Sequence, residues 1–494
     1  MKINRFTLDN GLRVVHVHDR STAMVAVNTL YDVGARDESP ALTGIAHLFE
    51  HLMFGGSAHV PDFDAALSAA GGISNAWTSS DFTNFYDVLP AANIETALWI
   101  ESDRMLRLAL SERSLEVQRN VVIEEFKQTC LNRPYGDMDH ALRALCYRTH
   151  PYRFPVIGKD FSHIERVTLA DAERWFYSHY APDNAVLAIC GNIDATTAER
   201  LVRKWYGDLP PRKVASRRLP AEPLPAAPRT TTVSGRVPQT ALAIAYPMAG
   251  YGTPEYFNAD IISDILANGH ASRFYRELLM GTDIFTEVDA AIQGTEEPGL
   301  FLINAKLARN GEEAEREAIA AIDAQTSRMA REMVGQRDVE LCLNRLESAR
   351  TFGLLNYLSV AQTIALAEMH REDANRFMEP YRAITPDTLR STAATIFNPD
   401  HKCTLIYRPE GAESVQFFTT FSVLLLEYGA EFLVGSHKAA AAFGYKFGGT
   451  ARKSGKAVDV AFVALHQAQD FFKFGHGLTV GKIFGGSEYR FLFV

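Results

Sequence analysis

Polar and apolar residues alternate from Arg5 to Leu8, Asn10-Gly11 supplies a turn signal, and Leu12 to Val17 resumes as an apolar run, which predicts a β-hairpin at the start of the chain. Met24 to Tyr31 reads as a second apolar strand and is followed by the polar loop Gly34-Ala35-Arg36-Asp37-Glu38-Ser39. Apolar residues then recur at helical spacing between Gly44 and Gly55-Gly56, so a short, mostly buried helix is expected there. Another helix is expected over Phe63 to Ala70. Gly71-Gly72 leads into the alternating stretch Ser74 to Thr78 and then Phe82 to Leu89, a hairpin pattern. Longer helical periods cover Ile94 to Leu108, Ser114 to Thr129 and Ala170 to Tyr180, and Val186 to Ile189 makes a short buried strand. Strands and helices in this order, without regular βαβ units, predict an α+β layer.

Between Leu209 and Thr240 the texture changes to LPPRKVASRRLPAEPLPAAPRTTTVSG, rich in proline and basic residues and poor in apolar periodicity. A linker is therefore expected over 209–240, between an N-terminal domain at 1–208 and a second at 241–410. The two are similar in sequence. VTLADAERWFYSHYAPDN (167–184) and ITPDTLRSTAATIFNPDH (384–401) align without a gap at an offset of 217, and Pro182-Asp183 falls on Pro399-Asp400. Two homologous α+β halves follow from this. Residues 411–494 resemble neither half; they hold no proline but 13 of the chain's 30 phenylalanines, and their role is not legible.

Composition narrows the function classes. At 494 residues a prior of about 150 residues per domain gives roughly three domains, and 47% hydrophobic with 22% charged residues is ordinary globular chemistry. A net charge of -9 offers no basic footprint, so neither nucleic acid nor an anionic membrane is expected as a partner. Five scattered cysteines without a CxxC pair exclude a disulfide framework and a thiolate metal site, and suit a reducing compartment. The first twenty residues lack an apolar signal region, which predicts a cytoplasmic rather than a periplasmic chain. The most apolar stretch, Phe417 to Val434, is broken by Glu427 and Glu431 and does not read as a membrane span.

The candidate chemistry is HLFEH, residues 47 to 51. On a helix His47 and His51 stand i and i+4, so both imidazoles project from one face and can share a cation. Glu50 lies on the same side but offset, where a carboxylate suits a general base beside the metal's water. A catalytic zinc needs three protein ligands and an open position, so a third ligand must come from elsewhere. By itself the motif reads equally well as a core helix whose histidines are satisfied by local hydrogen bonds.

Its surroundings decide between them. They comprise Asp9-Asn10-Gly11, Gly34-Ala35-Arg36-Asp37-Glu38, Gly44 through Gly55, Gly71-Gly72 with Asn75-Ala76-Trp77-Thr78, Arg119-Asn120-Val121-Val122-Ile123-Glu124-Glu125, and His150-Pro151-Tyr152 with Gly158. On these residues the chain, from 1 to about 410, resembles the pitrilysin/insulinase (inverzincin) family of metallopeptidases, most of all its single-unit bacterial branch, which is similar to the mitochondrial processing peptidase beta subunit. The resemblance implies two homologous α/β-sandwich halves, each an antiparallel-rich sheet packed with helices, together forming half of a clamshell chamber. It implies one Zn2+ per chain held by His47, His51 and Glu125, with Glu50 as the catalytic base. The adjacent Glu124, about 100° away on the helix, is expected to be solvated. Asn75, Ala76, Trp77 and Thr78 match the family's edge strand, to which an extended peptide substrate adds by main-chain pairing. Gln118 stands two turns before Glu125, where the family often has another glutamate beside the metal site.

The second half departs from this pattern. In DIISDILANG (260–269), Asp260 and Asp264 stand roughly where His47 and His51 stand, so no histidine pair survives. The family's noncatalytic half supplies an arginine and, seven residues later, a tyrosine to the substrate; the corresponding places here hold Leu279 and Thr286. Arg273, Tyr275 and Arg276 precede them and are expected on a helix surface. The resemblance then implies that a homologous metal-free subunit supplies the Arg/Tyr pair in a heterodimer, or that a second copy does so in a homodimer. The alternative is a noncatalytic core-type scaffold or peptide-binding subunit of the same fold.

Overall fold

The computed structural model describes residues 1–410, so the segment 411–494 lies outside the described residues. Among the described residues eleven strands form two sheets. The first contains β1 (Asn4–Thr7), β2 (Arg13–His18), β3 (Met24–Tyr31), β4 (Ile73–Thr78), β5 (Thr83–Pro90) and β6 (Ala185–Gly191), in the order β1-β2-β6-β3-β5-β4. The second contains β7 (Arg229–Gly235), β8 (Ala241–Pro247), β9 (Phe285–Gln293), β10 (Leu300–Leu307) and β11 (Cys403–Pro409), in the order β7-β11-β8-β10-β9. Once β1 is set aside, the two orders are the same, and in each sheet only the first neighbouring pair is parallel, β2 with β6 and β7 with β11. The repeat seen at the offset of 217 is thus a repeat of topology.

β7 revises one boundary. The last part of the segment expected as linker, Arg229–Gly235, pairs along its length with β11, and its alternating TTTV pattern exposes every second side chain as an edge strand does. Proline and basic residues dominate only the stretch before it. Even there the chain is tied down, because Arg217 bonds Asp37 and Glu222 accepts the backbone N–H groups of Arg148, Thr149 and His150.

Central strands such as β6, AVLAICG, are buried on both faces. Each sheet therefore needs a cover on either side. One cover is local: the helices of each half pack on their own sheet to form a large core, with Phe49, Phe85 and Leu187 in the first and Ile262, Phe301 and Ile322 in the second. The other cover is exchanged between the halves. Helix Tyr357–Met369, from the second half, lays Val360, Ala361, Ile364 and Ala365 on Val15, Ala26 and Val186 of the first sheet. Helix Met138–Cys146, from the first half, packs Leu142 and Cys146 on Ala243, Cys403 and Leu405 of the second. Burying each larger side chain of these helices contributes about 1.5–3 kcal/mol. Neither sheet is sealed without the other half. Among the described residues no helix is long and apolar enough to cross a membrane.

Candidate metal centre

Helix α1, Ile45–Leu52, carries the HLFEH motif. It starts at Gly44, whose φ is 87° and where any Cβ would come within 2.6 Å of Ile164 Cδ1, so glycine alone fits. Gly44 has no side chain to cap the helix, and Glu38 takes over that task. Its two carboxylate oxygens accept the N–H groups of Gly44 and Ala46, both at 2.8 Å. Burial pushes the Glu38 carboxyl up to about 8, against those two hydrogen bonds, which hold it down. Ile45, Leu48, Phe49 and Leu52 form the buried face of α1, and Phe49 stacks on Tyr180 with ring centroids 4.9 Å apart. With that face fixed to the core, His47, Glu50 and His51 must lie on the other side.

Facing them is helix Glu112–Phe126, started by a capping box between Ser111 and Ser114 and anchored by Leu115, Val122, Ile123 and Phe126. Glu125 projects toward α1, and its Oε2 lies 3.6 Å from His47 Nε2 and 3.5 Å from His51 Nε2. The side chains of His47, His51 and Glu125 are 12%, 23% and 15% exposed, partly screened from water yet reachable. Among the described residues this is the one group of three potential ligands whose donor atoms all lie within 4.8 Å of one another.

The donor set fits zinc. Ligands at about 2.0–2.1 Å in a tetrahedron stand about 3.4 Å apart, close to the two distances found. Burial holds the His47 imidazole below its usual pKa, outweighing the nearby Glu125 and Glu50 carboxylates, which favour the cation. A neutral imidazole is the form that has a lone pair to give a metal.

Glu50 is also held. Thr78 Oγ1, at the end of β4, donates to Glu50 Oε2 at 2.5 Å. The four residues expected as a substrate strand do occupy β4, the last strand of its sheet, but they face different ways. Ala76 packs toward the core below α1, and Thr78 reaches Glu50 on that side. Trp77 turns to the opposite face and packs with helix Tyr357–Met369, while Asn75 bonds the Tyr86 hydroxyl. Strict alternation along a strand is the cause.

Gln118 is half-buried two turns before Glu125 on the same helix. Glu124 is 62% exposed and pairs with Lys127 at 2.6 Å, turned away from the histidines. In the second half Leu279 packs against the core, and Thr286 Oγ1 accepts from Gln239 at 2.7 Å. Arg273, expected on a helix surface, is instead buried beside Phe274 and Ser272. Two residues that serve the site escaped the sequence reading as such: Glu38 as the cap of α1 and Thr78 as the partner of Glu50. The period-2 pattern of β4 puts Thr78 and Trp77 on opposite faces but does not say which side chain Thr78 meets.

Two models of one family match the chain. The family described as Insulinase (Peptidase family M16) matches residues 13–159, and the Peptidase M16 inactive domain matches residues 166–346. The chain is 30% identical over 281 residues to the zinc protease PqqE of Helicobacter pylori, covering 55% of this chain and 63% of that protein. It is 27% identical over 271 residues to the mitochondrial-processing peptidase subunit beta of Saccharomyces cerevisiae, covering 53% of this chain and 57% of that one. The matched region thus spans less than two thirds of either relative. In fold, the chain superposes on the crystal structure of a protease from Helicobacter pylori with a TM-score of 0.75 and 24% identity, covering 83% of this chain and 100% of that one.

Proposed function

The chain belongs to the insulinase family, peptidase family M16, and from that premise we propose that it is a zinc-dependent endopeptidase subunit acting on peptides or unfolded polypeptide segments. The observation that carries the proposal is the meeting of His47, His51 and Glu125 at 3.5–3.6 Å with Glu50 on the same helix face. Zinc held by these three side chains would supply Lewis acidity to a water and to the scissile carbonyl. Everything else is done by the chain. The free edge of β4 pairs with an extended peptide through backbone groups, which every sequence shares, so tolerance of varied substrates follows. Glu50 takes a proton from the attacking water as its oxygen bonds to the carbonyl carbon. The same carboxyl then gives that proton to the amide nitrogen as the C–N bond breaks.

Leu279 and Thr286 cannot supply the cationic and phenolic donors expected of the second half, and a missing donor to the developing oxyanion costs about 3–4 kcal/mol of transition-state stabilisation. The reading therefore includes a partner: a homologous metal-free subunit that brings an Arg/Tyr pair, or a second copy of this chain. Five buried cysteines, none of them in a disulfide, suit a reducing, cytoplasmic setting. The rival reading, a noncatalytic scaffold of the same fold, draws on those same two residues.

Metal analysis of the purified chain, with hydrolysis of an unfolded polypeptide measured alone and after mixing with a metal-free homologue of similar length, tests the proposal. About one zinc per chain and hydrolysis are expected, with a marked gain on mixing. Absence of zinc supports the scaffold instead, and full activity of the chain alone removes the shared site.

A further inference from the structure

We infer that Thr78 is a positioning residue for Glu50, so that the strand offered to the substrate also sets the proton carrier. This inference rests on the peptidase reading. A glutamate side chain has several rotors, and its carboxylate is useful as a base only where one oxygen meets the water it deprotonates. On α1, Glu50 has no rigid neighbour of its own helix to fix its terminal torsion, since His47 and His51 are committed toward Glu125. The fixing group comes from outside the helix. Thr78 ends β4, where it is paired across the sheet with Thr83, and its side chain points to the α1 side of the sheet. The 2.5 Å bond from its hydroxyl occupies Oε2 of Glu50 and leaves Oε1 for chemistry.

β-branching strengthens the arrangement. Threonine has a restricted χ1, so its hydroxyl is delivered in one direction with little loss of freedom. β4 is also the edge strand, so a peptide added along it lies on the same backbone that presents the Thr78 hydroxyl. Substrate register and base position are thereby referred to one strand. A misplacement of about 1 Å at a catalytic group costs about 100-fold in rate.

Thr78→Val in the full chain removes the hydroxyl and keeps the shape. It is expected to lower kcat by about 10–100-fold. KM for the peptide should stay within about twofold of wild type and zinc near one per chain, because backbone pairing and the ligand set are untouched. Thr78→Ser should return most of the rate. A second readout does not involve turnover: thermal unfolding of metal-free Thr78→Val, Glu50→Ala and the double variant should be non-additive, as expected of residues in direct contact. An unchanged kcat in Thr78→Val, a loss confined to KM, or additive stabilities would overturn the inference. A wild-type chain that binds no zinc and cleaves nothing overturns the peptidase reading, and the inference falls with it. The stability cycle tells the two failures apart, since coupling there survives a failure of the peptidase reading.

Discussion

The helix that follows the second strand of each repeated sheet, α1 in one half and Pro254–Ala267 in the other, is where the two halves part company. Both helices lie against their own sheet, but α1 is eight residues long and buries one face, whereas the fourteen residues of its counterpart include ten that are buried. A helix buried nearly all round has no open side on which to display ligands. Its two aspartates are committed elsewhere: Asp260 accepts from Tyr381 at 3.0 Å and Asp264 from Asn268 at 2.8 Å. The facing helices differ as well: Gln336–Gly353, which packs on Pro254–Ala267, buries Cys342 in the core of its half. The same topology thus brings three potential metal ligands together in one half and makes a packed core in the other. What separates them is one polar helix face left uncovered.

The hardest test of this contrast is to remove the proposed proton carrier, Glu50, from the first half. Glu50→Gln keeps the shape and the helix, so zinc should stay near one per chain while kcat falls by about 10²–10⁴. Peptide hydrolysis and metal analysis on the same sample check both. Retained cleavage would mean that the chemistry lies elsewhere in the chain.

Next in size is the proposed third ligand, Glu125. Glu125→Gln takes the charge from the donor set, and its effect on zinc retention should exceed the 10–100-fold typical of losing a hydrogen-bond partner behind a ligand. Cys342→Ala, in the core of the other half, should leave zinc content unchanged. Dialysis of both variants against a chelator, followed by metal analysis, decides the matter. Zinc lost from Cys342→Ala would show that the halves are not independent.

Much of this contrast was legible in the sequence. Spacing alone put His47 and His51 on one face, and the resemblance picked Glu125 from a pair of adjacent glutamates. Strands β3 to β6 fell where alternation and turn signals placed them, because local pattern and buried face agree there. The exchange of helices Met138–Cys146 and Tyr357–Met369 between sheets was not legible, since periodicity says that a face is apolar but not which sheet covers it. β7 was hidden by its polar composition, TTTVSG, which fits an edge strand as well as a loop. The Thr78 to Glu50 bond joins residues 28 positions apart and depends on the angle between a strand and a helix, which no spacing rule supplies.

Capping offers a milder contrast. α1 is capped by the buried Glu38 carboxyl, whereas Pro254–Ala267 begins at Thr253, whose neutral hydroxyl accepts from Tyr256 N–H. Only the first of these titrates. Burial raises the folded-state value of Glu38 from 4.5 to about 8, so between those values the folded chain binds the proton and the unfolded chain does not. Stability from this group is complete below pH 4.5 and is lost as pH rises through about 8, on the order of a few kcal/mol. Glu38→Gln keeps one acceptor of the two, so it should be less stable at low pH yet flatter across that window. Thermal unfolding at several pH values compares the slopes, and equal slopes would remove Glu38 as their source.

The smallest expected effect concerns Glu124, and it tests the same principle within a single turn of helix. Consecutive positions are about 100° apart, so of two adjacent carboxylates one addresses α1 and the other does not. Glu124 is 62% exposed and paired with Lys127, three residues on along the helix surface. Such pairs contribute about 0–1 kcal/mol, and the exposure of both partners puts this one at the low end. Glu124→Gln should therefore leave zinc content and kcat within about twofold of wild type and shift stability by less than about 1 kcal/mol. If instead Glu124→Gln released zinc while Glu125→Gln kept it, the helix would have to be rotated by one position. Val122, Ile123 and Phe126 would then turn away from the core they now fill, so the packing of this helix and the choice of third ligand stand or fall together.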